Sequence, residues 1–303
     1  MGHPDIVSVQ WLKEHFKKVK ILDATETIKP MPNVDEFEAK YYGNFELLQK
    51  DFVEDEYLKE HIPGAVHFNF DIAYCPTTFK RYGLYNANIF EKYAQLLGIN
   101  QNDHLVIYSR GPLAGCLFAS RVYWTFKVYG FHKVSILNGG LSAWKNDGGE
   151  VTSGEEHVPR GDFKAESINL ELLERFEKIP FKNLDDVQFV DVRTPAQYCG
   201  EEPLTKTYPK SIAKGSHVPK SKNLPAGKFF DANGFKSKDE IRRIVDDAGI
   251  KTSHPIILSC NGGVQASAVF AALQHCGILA KVYNGSMSEL ASRAPHLVNG
   301  RLH

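Results

Sequence analysis

Four landmarks recur in the same order in the two halves of this chain, and that repetition limits the fold more than any single motif does. An apolar run ends at Asp23 in VKILDA and again at Asp191 in VQFVDV. A His-hydrophobe-Pro turn follows at His61 and at His217. The segment HLVIYSR (104–110) is matched by HPIILSC (254–260), which sets Ser109 opposite Cys260. VSILNGGLSAW (134–144) is matched by AKVYNGSMSEL (280–290), which sets Asn138 opposite Asn284. The offset between equivalents falls steadily, from 168 at the Asp pair to 156, 151 and 146. A duplicated unit with longer loops in its first copy gives that trend.

Within each copy, helical stretches alternate with short β-branched runs. The part of SVQWLKEHFKKVKILDATE (8–26) that precedes VKILDA, and INLELLERF (168–176), are expected to be helical ahead of the first run of each copy. The runs VIYS, VSIL, FVDV and IILS have the unbroken apolar character of strands buried on both faces of a parallel sheet. FASRVYWTFKVYG (118–130) and VQASAVFAALQHCG (264–277) read as helices, closed by Gly130 and Gly277 in left-handed caps. The fold class is therefore α/β, two tandem units, each a mostly parallel sheet flanked by helices. The Gly-, Pro- and charge-rich stretch 146–166 reads as the linker, dividing the chain into 1–154 and 155–303.

Cys260 is the residue best placed for chemistry. It ends a buried strand and is followed by Asn261, Gly262 and Gly263, after which a helix begins near Val264. Ligands of open α/β sheets bind outside the carboxyl ends of the strands. Backbone N–H groups of such a loop converge into an anion nest, and the helix start adds partial positive charge. A thiol held there is expected to ionise more readily than a free one, and the thiolate is the nucleophile. The same cradle suits a persulfide, Cys–S–S⁻. Cys75, Cys116, Cys199 and Cys276 lack the full arrangement; Cys276 closes a helix and reads as packed, and Cys116 reads as structural.

Charge narrows the partners. Lys+Arg and Asp+Glu number 36 each, which argues against a broad basic surface for nucleic acid. No apolar run approaches the ~18 residues of a membrane span. Five cysteines, an odd count without a C-x-x-C pair, argue against a disulfide framework or a zinc knuckle. The opening MGHPDIVSVQ reads as neither a secretory nor a transit peptide. The expected address is the cytoplasm, with a mitochondrial pool left open.

The duplicated plan, together with EHIPGA (60–65), RVYWTFKVYGFHKVSILNGGLSAW (121–144), GSHVPKSKNLP (215–225), CNGGVQA (260–266), VYNGSM (282–287) and RAP (293–295), resembles the tandem rhodanese-domain sulfurtransferases. That family includes thiosulfate sulfurtransferase and 3-mercaptopyruvate sulfurtransferase, and the resemblance runs over about residues 5 to 300. It implies two rhodanese-like domains, the first without a catalytic Cys and the second with Cys260 as persulfide carrier, around an interdomain active site. Substrate contacts would come from Asn261, Gly262, Gly263, Val264 and Gln265, with Gln197 and Lys206 at the positions of the family's donor-binding arginines. The partners implied are a small-molecule sulfur donor and an acceptor, which is cyanide, a small thiol or a reduced protein thiol. No metal or organic cofactor is called for.

The chain departs from the family pattern in its loop. Thiosulfate-using members carry basic residues there, and mercaptopyruvate-using members a Ser two residues after the Cys. Here the loop is neutral, the Ser position is Gly262, and the family's following Thr is Gln265. Neutrality leans toward 3-mercaptopyruvate, without the hydroxyl relay. Arg193 is expected to pair with a nearby carboxylate, and His61 and His217 to be turn histidines rather than acid–base groups. Asp51 or Asp55 stands near the position of an Asp that assists some relatives. A Cys-dependent phosphatase would need an Arg six residues after the Cys, where this chain has Ala266. A catalytically weak or inactive rhodanese-like protein-binding module is the alternative reading.

Overall fold

The computed structural model describes residues 3–181, 183–202 and 216–298. In the first unit, β1 (Ile6–Val7), β2 (Lys20–Asp23) and β3 (Val66–His67) precede a hairpin, β4 (Cys75–Thr77) and β5 (Lys80–Gly83). Then come β6 (Leu105–Tyr108) and β7 (Val134–Leu137). The second unit has β8 (Leu173–Glu174), β9 (Gln188–Asp191), β10 (Lys222–Asn223), the hairpin β11 (Phe230–Asp231) and β12 (Gly234–Phe235), β13 (Ile256–Ser259) and β14 (Lys281–Tyr283). The two main sheets run β1-β7-β6-β2-β3 and β8-β14-β13-β9-β10. Strand by strand these are one topology used twice, and every pairing within both sheets is parallel. The repeat read from the sequence is thus a repeat of architecture.

The central strands β6, β7 and β13 are buried along their whole length, because helices cover both faces of each sheet. The two helices that follow the landmark strands, Leu117–Val128 and Val264–His275, pack against one another. That contact explains why all twelve residues of Leu117–Val128 are buried: one side faces its own sheet and the other faces the second unit. Gly130 and Gly277 close them with left-handed φ of 81° and 74°, as expected. The helix expected over 168–176 is absent. Leu173–Glu174 is instead an edge strand beside β14, followed by a single 3-10 turn at Phe176–Lys178. Pairing with Val282 and Tyr283 holds this backbone extended, a tertiary contact that overrides the helical spacing of the segment.

Residues 158–169 run along the first unit before the second sheet begins. Gly161 and Phe163 donate backbone hydrogen bonds to Gln95 and Ile99, and Glu166 and Asn169 to Tyr129 and Val128. The two hairpins then cross the interface in opposite senses. The Tyr82 carbonyl on β5 accepts from Asn284 Nδ2 at 3.0 Å, and Phe235 N–H on β12 donates to Asn138 Oδ1 at 2.8 Å. Each unit therefore reaches the landmark asparagine of the other. Among the described residues, no helix is long and apolar enough to cross a membrane.

Candidate active site

Strand β13 delivers Cys260 to the carboxyl edge of the second sheet, and only three residues separate it from the helix at Val264. A second helix, Ser286–Arg293, shapes that loop. Met287 N–H binds the Cys260 carbonyl at 3.0 Å, and Ser288 N–H and Oγ bind the Asn261 carbonyl at 3.0 and 2.6 Å. In trans peptides, carbonyls drawn toward that helix leave the N–H groups of Asn261 and Gly262 pointing the other way. Gly263 N–H donates to Cys260 Sγ at 3.1 Å. Ser286 supports the cysteine from the opposite side, accepting Cys260 N–H at 3.1 Å with its Oγ 4.0 Å from the sulfur. Its own proton goes to the Tyr283 carbonyl at 2.7 Å, so it offers the sulfur little.

Gly263 is the glycine this geometry needs. Its φ is +88°, and a Cβ there would lie 2.7 Å from Asn284 Oδ1, 2.9 Å from the Asn284 carbonyl and 3.0 Å from Arg121 Nη1. The loop is thus closed over by both units. It is closed tightly: Cys260 is 1% exposed. An interdomain cleft of about 220 Å³ runs between the β4–β5 hairpin and the second unit and ends at Asn284, beside the loop rather than at the sulfur.

The corresponding loop of the first unit is longer and chemically closed. Ser109 Oγ donates to the Gly115 carbonyl at 2.7 Å and accepts Ala119 N–H at 3.1 Å, so the hydroxyl is fully used. Cys116 lies buried at the helix start, its thiol pushed up to about 12 by burial, and burial raises Cys75 to about 11. Neither is a thiolate at neutral pH.

The residues proposed from sequence fall into groups. Asn261, Gly262, Gly263, Val264 and Gln265 form one continuous loop and helix start around Cys260. Asn261 Oδ1 and Gln265 Oε1 are buried without a partner among the described residues. Gln197 sits on the short helix Pro195–Cys199 after β9, at the same sheet edge, and its Oε1 also lacks a partner among the described residues. Lys206 lies outside the described residues. Arg193 is fully buried and grips Asp191 through Nε and Nη2, the latter at 2.6 Å, so it is a structural cation. His61 and His217 stack on Tyr57 and Tyr198, and each Nδ1 bonds the backbone carbonyl of that tyrosine. Asp51 is tied to Lys40 and Tyr41. Sequence reasoning missed Ser286, Asn284, Tyr82 and Arg121. Asn284 had left a trace as a landmark of the repeat, and Arg121 as a charge in the middle of a largely apolar helix.

Comparison with known proteins bears on the same geometry. The model of the family described as "Rhodanese-like domain" matches residues 51–147 and 172–293. The Caenorhabditis elegans protein mpst-4 is 37% identical over 297 residues, covering 98% of this chain and 87% of its own. The chain belongs to the rhodanese family. It is a sulfurtransferase of the kind named for thiosulfate and 3-mercaptopyruvate. Rat thiosulfate sulfurtransferase is 33% identical (96% of this chain, 93% of its own), and mouse 3-mercaptopyruvate sulfurtransferase 32% (95% and 92%). Among solved structures, the 3-mercaptopyruvate sulfurtransferase SseA of Escherichia coli superposes with a TM-score of 0.75 at 28% identity, over 93% of this chain and 98% of that one. In this rhodanese both domains contribute to the wall around Cys260, since Asn284 comes from the second and Arg121 from the first.

Proposed function

We propose that this rhodanese moves sulfane sulfur through a persulfide on Cys260. The observation that carries the reading is the 3.1 Å hydrogen bond from Gly263 N–H to Cys260 Sγ, in a loop whose carbonyls are turned toward another helix. Such a cradle favours an anionic sulfur. With thiosulfate, the thiolate attacks the outer sulfur, the S–S bond of the donor breaks, and sulfite leaves with the electron pair. With 3-mercaptopyruvate, the C–S bond breaks, and the thiol proton ends on carbon as pyruvate forms. Cyanide or a thiolate then attacks the outer persulfide sulfur and regenerates the Cys260 thiolate. The contact residues of this reading are Asn261, Gly262, Gly263, Val264, Gln265 and Gln197, with Lys206 as a donor cation.

A neutral loop suits 3-mercaptopyruvate better than a dianion. At equal concentrations, 3-mercaptopyruvate is expected to give the faster turnover, measured as pyruvate against sulfite with cyanide as acceptor. The reverse order would remove loop charge as the determinant. One observation favours a second reading: the burial of Cys260 suits a catalytically weak protein-binding module. Turnover lost in Cys260→Ser supports the enzyme, and turnover retained there, or absent from the parent protein, rejects it. We place the protein in the reducing cytoplasm, because all five cysteines are free. Its exclusive recovery from another compartment on fractionation would overturn that placement.

A further inference from the structure

The helix Leu117–Val128 carries Arg121 into the domain interface, where it is 0% exposed. Its Nη2 donates to the Tyr82 carbonyl at 3.0 Å, and the guanidinium plane lies over Tyr74 and Trp124 at 4.9 and 4.5 Å. Its Nε and Nη1 are buried and have no hydrogen-bond partner among the described residues. Among the described residues, no carboxylate pairs with it. A guanidinium cannot shed its proton, so this is a buried positive charge without a counter-ion.

Other charges around it are spoken for. On the β4–β5 hairpin, Lys80 pairs with Glu289 and Arg81 with Asp71. On the helix Ser286–Arg293, Glu289 also binds Arg293, which reaches Glu177. At the end of β9, Asp191 is held by Arg193. Tyr74, Tyr82 and Tyr283 are all pushed upward by burial and stay neutral near pH 7. Glu26 acts on the same tyrosines, but burial pushes its carboxyl up to about 8, so it is largely protonated near pH 7. That leaves Cys260: Arg121 Nη1 lies against Gly263, and Gly263 N–H holds the sulfur.

The duplication sharpens the point. The helix starts at Leu117 and Val264 set the register, and in both helices a serine at the fourth residue binds back to the carbonyl four residues earlier. In that register Arg121 corresponds to Ala268. Of the two equivalent positions, the guanidinium occupies the one that lies against the cysteine loop.

We infer that Arg121, supplied by the domain without a nucleophile, is a positioning residue that acts as counter-charge to the Cys260 thiolate and persulfide. This rests on the proposed sulfur transfer and identifies where the cationic character missing from the loop has gone. The structural alternative is a clamp that holds Tyr82 and the aromatic rings without acting on the sulfur.

The test is the pH profile of Cys260 alkylation by iodoacetamide, followed by peptide mass spectrometry, in the parent protein, Arg121→Gln and Arg121→Lys. The midpoint is expected to rise by about one pH unit or more in Arg121→Gln and to stay near the parent's in Arg121→Lys. An unchanged midpoint in folded Arg121→Gln overturns the inference. Should that variant not fold, the parent is compared with Cys260→Ser instead. A thiolate held by Arg121 adds stability as pH rises toward the unfolded thiol value of ~8.5, so the Tm gap between them widens from pH 6 to 8.5. A gap independent of pH overturns the inference. A sulfur adduct on the parent, measured in parallel, separates the two levels: its absence sinks the transfer reading, whereas its presence beside unmoved profiles sinks only the role of Arg121.

Discussion

Gly263 answers two demands at once, a left-handed φ and a backbone wedged against Asn284. Gly263→Ala adds a Cβ 2.9 Å from the Asn284 carbonyl, which cannot rotate away. The substitution is expected to cost about 1–3 kcal/mol and to lower sulfur transfer more than tenfold, read by thermal melting and donor assay. Wild-type activity with an unchanged Tm would contradict the geometry. Glu26 supplies a pH test. Its carboxyl is pushed up to about 8, chiefly by burial and next by the Asp71 charge, and its Oε1 has no partner among the described residues. The folded protein therefore keeps a proton that the unfolded chain releases above ~4.5, and stability falls as pH rises from there through 8. Glu26→Gln removes that loss. Its Tm advantage is expected to grow between pH 5 and pH 8, equivalent to roughly 1–2 kcal/mol after discounting for partial exposure. A constant difference would contradict the burial of this charge.

Strand ends and loops show where sequence sufficed. The strands were legible because four apolar residues in a row, bounded by turn residues, leave few alternatives to a buried parallel strand. The Asp191–Arg193 pair was legible as a close charge pair after such a strand. In Arg193→Met, Asp191 stays buried without its cation, at an expected cost of about 3–5 kcal/mol, while the residual folded protein still loads sulfur. Full stability in that variant would show the pair to be dispensable. The stretch 168–176 misled because its apolar spacing suits a helix, whereas the strand it pairs with, β14, lies more than 100 residues further along the chain. The first-unit loop gave no warning that Ser109 spends its hydroxyl on Gly115 and Ala119, since both partners are backbone groups. Arg121 stayed hidden for a related reason: its meaning depends on a loop more than 130 residues further along the chain.

At the scale of the molecule, the largest apolar cluster runs unbroken from Leu22 in the first sheet to Val282 in the second. The helices Leu117–Val128 and Val264–His275 are its middle. Separate unfolding of either domain would expose that shared wall, so urea denaturation is expected to show one transition, coincident by near- and far-UV circular dichroism. Two resolved transitions would contradict a shared core. The duplication itself was plain in the sequence, whereas the depth of Cys260 was not, because burial depends on how the loop and the helix Ser286–Arg293 close around the sulfur. Sulfur transfer demands that a donor reach a thiol that is 1% exposed. The direct measurement is intact mass of the native protein over time with 3-mercaptopyruvate or thiosulfate at neutral pH, without acceptor. One added sulfur, ~32 Da on a thiolate nucleophile, is expected to appear within minutes, to map to Cys260 and to be lost on adding cyanide. A mass that stays unchanged for hours with either donor, while iodoacetamide also leaves Cys260 untouched, would contradict the account.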